Sequence, residues 1–321
     1  MAASQVPVSV IVPNYNSGEL LRECIASINA QAAPAEILVI DDDSTDDSPR
    51  VAEELARVHA NVRVLFRASN GGAAAARLDG IQAAAHDWVA LVDADDFLET
   101  AAVREAYRAA QSTGADLCIW DLWRYEEGRE WRHLALDPAI FPLPGHQAVL
   151  MTLDGWRIHP LGVARKALYE RAYDGFTETA LNADELLTRL VFSHAASVAF
   201  CGSRYFYRSN PSSTTRARSP RMLSTLDSTL WLLAFAKTYP EASPRSIART
   251  GIGQAWAFWQ DRADYGGDAA VGERVLPFLA RLVRESGMPR WIWRHPQHLA
   301  ALLWMLGAAG GQRALRRVLA R

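Results

Sequence analysis

The stretch Leu91-Val92-Asp93-Ala94-Asp95-Asp96-Phe97-Leu98 places three carboxylates at the end of a short apolar run. Residues Trp88–Val92 predict a buried strand, because no charge interrupts their β-branched and aromatic side chains. Ligands of open α/β sheets bind outside the carboxyl ends of the strands, and clustered carboxylates need a cation or hydrogen-bond donors to offset their repulsion. The stretch therefore predicts a metal or catalytic site. The alternative is a solvated turn, in which Asp93 and Asp95 serve only as loop and helix-cap residues.

Three more apolar runs of strand length precede this stretch, and each is followed by a segment that reads as a helix. This alternation predicts an α/β fold with a mainly parallel sheet covered by helices on both faces. The second run ends in Asp41-Asp42-Asp43, so the acidic ends of two strands are expected to converge on one edge of the sheet. The predicted strands are Val8–Val12, Glu36–Ile40 and Val62–Phe66, and the predicted helices are Glu19–Gln31, Pro49–His59 and about Asn70–Ala85.

The rest of the chain alternates less regularly. Residues Arg124–Pro144 are polar and weakly periodic, which predicts a loop or an edge hairpin, and the chain from Gly162 to Thr179 is expected to be irregular. The remaining predictions are helices over Glu99–Thr113, from Asn182 onward, over Met222–Thr238 and from Ser246 to before Gly266, with strands over Asp116–Trp120, over Ser197–Phe200 and from Tyr205 into a polar loop.

Composition excludes several classes of protein. The 321 residues carry a formal net charge of −2, with 22% charged and 50% hydrophobic, so a core is expected and a nucleic-acid partner is not. Cys24, Cys118 and Cys201 are widely separated and lack metal-ligand spacing, which indicates reduced thiols. The chain shows no basic leader before Val8 and no apolar run of about 20 residues. A cytoplasmic protein is therefore expected, either free or at the inner face of the membrane.

Taken in order, the motifs resemble the inverting family 2 glycosyltransferases, whose nucleotide-sugar-binding fold is called GT-A. The resemblance implies transfer of a sugar from a nucleoside-diphosphate sugar, with UDP as the expected nucleotide, to an acceptor hydroxyl. It also divides the chain into a catalytic domain, residues 1–217, and a helical C-terminal extension, residues 218–321. The motifs are Val8–Asn16, Ile40–Asp46, Asn70–Gly72 with Ala76-Arg77, Asp93–Asp96, Asp184-Glu185, and Tyr207-Arg208 with Ser213-Thr214.

The resemblance also assigns roles to individual residues. Asp95 is the expected ligand of a divalent cation, Mn²⁺ or Mg²⁺, because hard cations prefer carboxylate oxygens and stabilise a diphosphate leaving group. Asp93 and Asp96 complete the expected metal site, with Asp93 near the ribose and Asp96 near the sugar. The other expected substrate contacts are Pro13, Asn14, Tyr15 and Asn16 lining the base pocket, Asp42 accepting the N–H of the base, Asn70 and Arg77 nearby, and Arg208 closing over the diphosphate.

Two positions depart from the family pattern. Asp43 stands where the family usually has glycine, and we expect it to adopt the same turn because aspartate tolerates left-handed geometry. Asp184-Glu185 stands where the family often has Glu-Asp. If Asp184 caps the helix, Glu185 lies in the first turn, where the helix dipole favours an ionised carboxylate. Glu185 is therefore the expected general base, with Asp184 as the alternative.

The acceptor is expected to be a surface polysaccharide, a glycolipid or a cell-wall component. Five aromatic residues that could stack on a sugar follow the acidic stretch: Trp120, Trp123, Tyr125, Trp131 and Trp156. From Met288 onward, arginines flank an apolar stretch with tryptophans nearby, which predicts a peripheral membrane contact or a helix packed on the catalytic domain. A non-catalytic nucleotide-sugar-binding protein of the same fold and a nucleotidyltransferase remain alternative functions.

Overall fold

The computed structural model describes residues 6–30, 34–153, 155–176, 182–209 and 218–286. The chain divides into two compact units. The first comprises residues 1–152, 156–176 and 187–210, and the second comprises residues 153–155, 177–186 and 211–321. The region from Met288, for which a membrane contact is predicted, lies outside the described residues. Within the described part of the chain, no helix combines the length and the hydropathy needed to cross a membrane.

The first unit opens with four parallel strands arranged in the order β3-β2-β1-β4. Helices connect them, so the predicted α/β alternation is confirmed. The central strand β1 is almost entirely buried, since it pairs with a strand on each side. The elements are β1 (Val6–Asn14), α1 (Leu20–Asn29), β2 (Pro34–Asp41), α2 (Ser48–Val58), β3 (Val62–Phe66), α3 (Ala73–Ala83) and β4 (Trp88–Leu91).

Beyond the fourth strand the sheet becomes mixed, and its order continues β4-β9-β6-β10-β5. Strand β9 runs antiparallel to both of its neighbours, whereas β10 is parallel to β6. The elements are β5 (Phe97–Leu98), α4 (Ala102–Thr113), β6 (Leu117–Glu126), β7 (Arg129–Arg132), β8 (Leu143–Pro144), α5 (Gly145–Leu153), β9 (Gly162–Arg165), α6 (Lys166–Tyr173), α7 (Ala183–His194) and β10 (Ser197–Arg208). Strands β6 and β7 form the predicted edge hairpin.

The expectation of irregular chain from Gly162 to Thr179 is wrong where the structure describes it. Residues Gly162–Arg165 form β9, which is only four residues long and too short to produce a periodic pattern. A Cβ added at Gly162 would lie 2.1 Å from the carbonyl oxygen of Cys118, so only glycine allows β6 to approach this closely. The two strands predicted around residue 200 are one strand, β10, with a register shift between Phe200 and Arg204.

In the described part of the second unit, three α-helices pack on one another: α8 (Thr225–Ala236), α9 (Pro244–Gln260) and α10 (Gly267–Ser286). Gly251 allows a close approach, because a Cβ there would lie 3.0–3.1 Å from side-chain atoms of Thr229, Leu282 and Phe278. The predicted C-terminal helices are confirmed for residues 225–236 and 244–260.

Candidate active site

The carboxyl ends of β1, β2 and β4 lie at one edge of the sheet. Strand β1 is parallel to both neighbours, and its last residue, Asn14, is in register with Asp41 at the end of β2. The backbone N–H of Val92 donates to the carbonyl of Ile11 on β1 (3.0 Å), one residue before Asp93. The predicted convergence of two acidic strand ends is therefore confirmed.

Asp41 joins the first two strand ends. Its carboxylate is buried and accepts hydrogen bonds from the Nδ2 of Asn14 (2.6 Å) and the backbone N–H of Ser44 (3.0 Å). The Oδ1 of Asn14 is buried as well and has no hydrogen-bond partner within the described residues. Asp43 has a φ of 62°, so the prediction that aspartate adopts the left-handed turn is confirmed. Asp41 and Asn14 thus fix the loops on which the predicted base pocket lies.

Asp42 holds a third loop, formed by Asn70, Gly71 and Gly72. Its buried carboxylate accepts hydrogen bonds from the backbone N–H groups of Gly71 (2.9 Å) and Gly72 (2.7 Å). The side chain of Asn70 donates to the Asp42 carbonyl (3.1 Å). Arg67 also pairs with the Asp42 carboxylate. The predicted contact between Asp42 and a nucleobase would therefore share oxygens that already accept hydrogen bonds from this loop.

Tyr15, one of the predicted substrate contacts, lies in the loop after β1, and its side chain is 41% exposed. The loop is tied to the turn after β2, because the Oδ1 of Asn16 accepts a hydrogen bond from the N–H of Thr45 (2.8 Å). Asn16 itself has a φ of 52°. An exposed ring on an anchored loop is suited to stack on a planar base.

The acidic turn after β4 is held by an arginine and a tyrosine. Arg77 of α3 donates to the carboxylate of Asp93 (2.8 Å). The hydroxyl of Tyr205 donates to the carboxylate of Asp96 (2.6 Å) and accepts from the backbone N–H of Asp93 (3.2 Å). The N–H of Arg208 donates to the other Asp96 oxygen (2.8 Å). Burial, followed by the charges of Asp93 and Asp95, raises the pKa of Asp96 well above the usual aspartate value.

The side chain of Arg208 lies against the same turn. Its Nε donates to the carbonyl of Asp95 (2.9 Å), and its terminal nitrogen pairs with Glu23 of α1 (2.6 Å). The guanidinium also lies over the rings of Phe97 and Tyr125, at 5.1 and 5.2 Å from their centroids. Arg208, which is predicted to bind the diphosphate, thus lies next to the acidic residues with which it would act.

The three-carboxylate metal site predicted from Asp93, Asp95 and Asp96 is not preformed. Across the described ranges, no group of three His, Cys, Asp or Glu side chains is arranged to hold a metal ion. Both oxygens of Asp96 already accept hydrogen bonds from the protein, and Asp93 is paired with Arg77. The residues fit a cation held by one or two carboxylates and completed by substrate phosphates and water, which is how Mg²⁺ commonly binds beside nucleotides.

The predicted base residues lie at the start of α7. Asp184 is exposed and Glu185 is partly buried. The backbone N–H of Glu185 donates to the Oδ1 of Asp184 (3.0 Å) and to the carbonyl of Asn182 (3.1 Å). The Oδ1 of Asn182 accepts a hydrogen bond from Ser228 of α8 (2.6 Å), which secures this end of the helix. Because α7 begins at Ala183, Asp184 lies inside the first turn with Glu185, and its bond to the adjacent N–H is not the capping bond that was expected.

One of the aromatic residues expected to stack on a sugar is inaccessible. Trp120 is completely buried, donates to the carbonyl of Ala102 (2.9 Å) and stacks on Tyr205, so it belongs to the core. Trp120 lies in the part of β6 that is buried on both faces, so its ring cannot reach a sugar. Trp131 is 44% exposed. Trp156 is partly buried, and the guanidinium of Arg189 lies 4.2 Å from the centroid of its ring.

Two residues at this edge were not identified from the sequence. Arg67 follows β3 and bridges Asp42 to Asp79, whose carboxylate lies 2.7 Å away. The sequence signal that could have identified Arg67 is a basic residue at the end of β3, beside the acidic end of β2. Tyr205 is completely buried. The signal that could have identified it is a tyrosine within a buried strand, whose hydroxyl needs a hydrogen-bond partner.

Comparison with known proteins identifies the family. The model described as Glycosyl transferase family 2 matches residues 9–172, just over half of the 321 residues. GlyG of Streptococcus pneumoniae is 36% identical over 121 residues, 37% of this chain and 40% of GlyG. EpsJ of Bacillus subtilis, named an uncharacterized glycosyltransferase, is 30% identical over 220 residues, 65% of this chain and 62% of EpsJ. The matches thus span less than two thirds of either relative.

Among solved structures, residues 1–349 of S. aureus TarS in complex with UDP-GlcNAc share the fold. The TM-score is 0.63 at 18% sequence identity, over 88% of this chain and 82% of TarS 1–349. A mixed sheet with helices on its faces and this structural neighbour identify the GT-A fold. The strand-end motifs, the matched model and the curated relatives agree, and the chain belongs to glycosyl transferase family 2.

Proposed function

We propose that this protein is a metal-dependent, inverting glycosyltransferase that moves a sugar from a UDP-linked donor to an acceptor hydroxyl. The observation that carries the proposal is the meeting of three strand ends at one sheet edge, where the Asp41-Asp42 turn, the Asn70–Gly72 loop and the Arg77–Asp93 pair lie. That edge is where open α/β sheets bind nucleotides. The proposed acceptor class is a surface polysaccharide, a glycolipid or a cell-wall component.

The donor nucleotide is proposed to bind between the anchored loops. Tyr15 would stack on the base, Asp42 and Asn70 would meet its polar edge, and Asp93 would accept from a ribose hydroxyl. Support comes from the hydrogen bonds that tie these loops to one another, since preorganised loops bind with less loss of entropy. The UDP-GlcNAc bound by TarS supports a UDP-linked donor.

The leaving group is a diphosphate, and its charge must be stabilised as the bond to the sugar breaks. Asp95, with Asp93 beside it, would hold Mn²⁺ or Mg²⁺, which supplies Lewis-acid stabilisation of phosphate oxygens when bound. The guanidinium of Arg208 would exchange its partner Glu23 for a phosphate oxygen, because phosphate is a strong bidentate acceptor for arginine.

Inversion follows from a single displacement. The acceptor oxygen attacks the anomeric carbon from the face opposite the diphosphate, the carbon–oxygen bond to the diphosphate breaks, and the acceptor proton passes to a general base. Glu185 is proposed as that base. Support comes from its place in the first turn of α7 and from Asp184, whose oxygen accepts a backbone N–H.

The test is a panel of nucleotide sugars offered to the purified chain with Mn²⁺, in which release of nucleoside diphosphate is measured with and without glycoside acceptors. We expect acceptor-stimulated release of UDP from at least one UDP-sugar. Asp95→Asn should abolish it, whereas Asp47→Asn, at an exposed position on the start of α2, should leave it unchanged. Donor binding without release would instead indicate a non-catalytic binding protein. Release of pyrophosphate from a nucleoside triphosphate and a sugar phosphate would indicate a nucleotidyltransferase.

A further inference from the structure

Strand β10 contacts the acidic turn at four polar atoms. The Tyr205 hydroxyl contacts the backbone N–H of Asp93 (3.2 Å) and one oxygen of Asp96 (2.6 Å). Three residues farther along the strand, the N–H of Arg208 contacts the other oxygen of Asp96 (2.8 Å), and its Nε contacts the carbonyl of Asp95 (2.9 Å). Every residue from Asp93 to Asp96 that bears a carboxylate is therefore tied to β10 through its side chain or its backbone.

The tyrosine hydroxyl occupies the centre of this network. Tyr205 is completely buried; its backbone pairs with β6 on one side and β5 on the other, and its ring stacks on Trp120 with 5.8 Å between the centroids. Its hydroxyl both accepts and donates, so the proton of Asp93 N–H and the carboxylate of Asp96 are linked through one oxygen. Asp96 is only 1% exposed, which leaves its carboxylate to bind protein donors.

We propose that Tyr205 and Asp96 form an internal support that positions Asp93 and Asp95, and that Asp96 acts through this support rather than by touching the metal or the sugar. This proposal rests on the proposed function for its effect on turnover, but not for its effect on the turn itself. Tyr205 is thus a positioning residue. Because a misplacement of about 1 Å in a catalytic geometry can cost about a hundredfold in rate, loss of the hydroxyl should lower turnover without removing any group that meets substrate.

The perturbation is Tyr205→Phe, which keeps the ring and its stacking and removes only the hydroxyl. Amide hydrogen exchange read by mass spectrometry on a peptide covering residues 92–98 gives a result that does not depend on activity. We expect exchange of that peptide to rise about tenfold or more, because the N–H of Asp93 loses its acceptor. A peptide from β1 should be unchanged. Tyr265→Phe, which removes the hydroxyl of another buried tyrosine, in the second unit, should alter neither peptide.

Turnover and a double-mutant cycle complete the test. We expect Tyr205→Phe to lower kcat about 10- to 100-fold with a smaller change in KM. Asp96→Asn, which retains an oxygen for the Arg208 N–H, should have a similar effect, and the double variant should be no worse than the poorer single variant. Unchanged exchange over residues 92–98 in Tyr205→Phe overturns the proposal. The proposal is also overturned if Asp96→Asn lowers turnover far more than Tyr205→Phe does and the two losses multiply in the double variant. That result would indicate that Asp96 contacts substrate or metal directly. If the wild type releases no nucleoside diphosphate, the proposed function fails. The exchange result then still shows whether Tyr205 and Asp96 hold the turn in place.

Discussion

Replacing Gly162 by alanine tests whether β9 belongs in the middle of the sheet. Gly162 is in register with Ile119 of β6, and an added Cβ would lie 2.1 Å from the carbonyl oxygen of Cys118 and 2.7 Å from the Cα of Ile119. These neighbours are backbone atoms of a central strand, so no side chain can rotate to make room. The strands must separate by about 1 Å, which strains the hydrogen bond from Trp120 N–H to the Leu161 carbonyl (3.0 Å).

The expected cost follows from the size of this overlap. Overpacking in a buried region costs about 1–3 kcal/mol when side chains can adjust, and a weakened buried backbone hydrogen bond adds about 1 kcal/mol. The reduced flexibility of the unfolded chain offsets about 0.4–1 kcal/mol. We therefore expect Gly162→Ala to lower the free energy of unfolding by about 3 kcal/mol.

The assay is urea unfolding followed by tryptophan fluorescence. A loss of about 3 kcal/mol should lower the urea midpoint by about 1 M or more. The matched control is Gly202→Ala in β10 of the same sheet, where an added Cβ meets no atom within 4 Å and where we expect no loss. Equal midpoints for the wild type and Gly162→Ala would refute the placement of β9 against β6.

Three further predictions concern charged residues. Asp95→Asn, or excess chelator with the wild type, should remove nearly all UDP release; full release in either case would contradict a metal at Asp95. Glu185→Gln should bind nucleotide sugar normally yet lose transfer by at least about a hundredfold, whereas Asp184→Asn, which can still accept a backbone N–H, should be much milder; the reverse order would assign the base to Asp184. Burial acts to raise the pKa of Glu36, but hydrogen bonds from Ala85, Ser9 and Arg63 lower it overall, so its ionised form stabilises the fold above the ordinary value of 4.5 and this stabilisation is lost as pH falls below it. Glu36→Gln should therefore cost about 1–3 kcal/mol in urea unfolding at pH 7 and less at pH 4, and an equal cost at both values would contradict this account.

The first four strands and their helices could be predicted from the sequence because local patterns determine them. Each parallel strand is a mostly apolar run, as in Val62–Phe66, where Arg63 is the one charged residue and the predicted and observed bounds coincide. Strand β9 carries no such pattern, because it has four residues and begins with glycine. What makes Gly162–Arg165 a strand is its two neighbours, which lie far away in the sequence.

The same distinction applies to the candidate site. The positions of Asp42 and Asp93–Asp96 at strand ends follow from the order of elements, so they could be predicted. Their partners could not, since Tyr205 and Asp96 are 109 residues apart and Asp42 and Gly71 are 29 apart. A carboxylate in the sequence carries no sign of whether its oxygens will meet a ligand or a protein donor. Asp96 illustrates this, because the sequence predicts a carboxylate near the metal or the sugar but not the two hydrogen bonds that it accepts from β10.

The proposed function is transfer of a sugar from a UDP-linked donor with inversion at the anomeric carbon. Proton NMR during turnover tests it most directly, because the coupling constant of the anomeric proton reports the configuration of the product while the UDP signals report release of the leaving group. With the UDP-α-sugar that the chain accepts, we predict a β-linked product formed in step with UDP. An α-linked product, or no conversion of any UDP-sugar in the presence of Mn²⁺ and acceptor, would contradict the account.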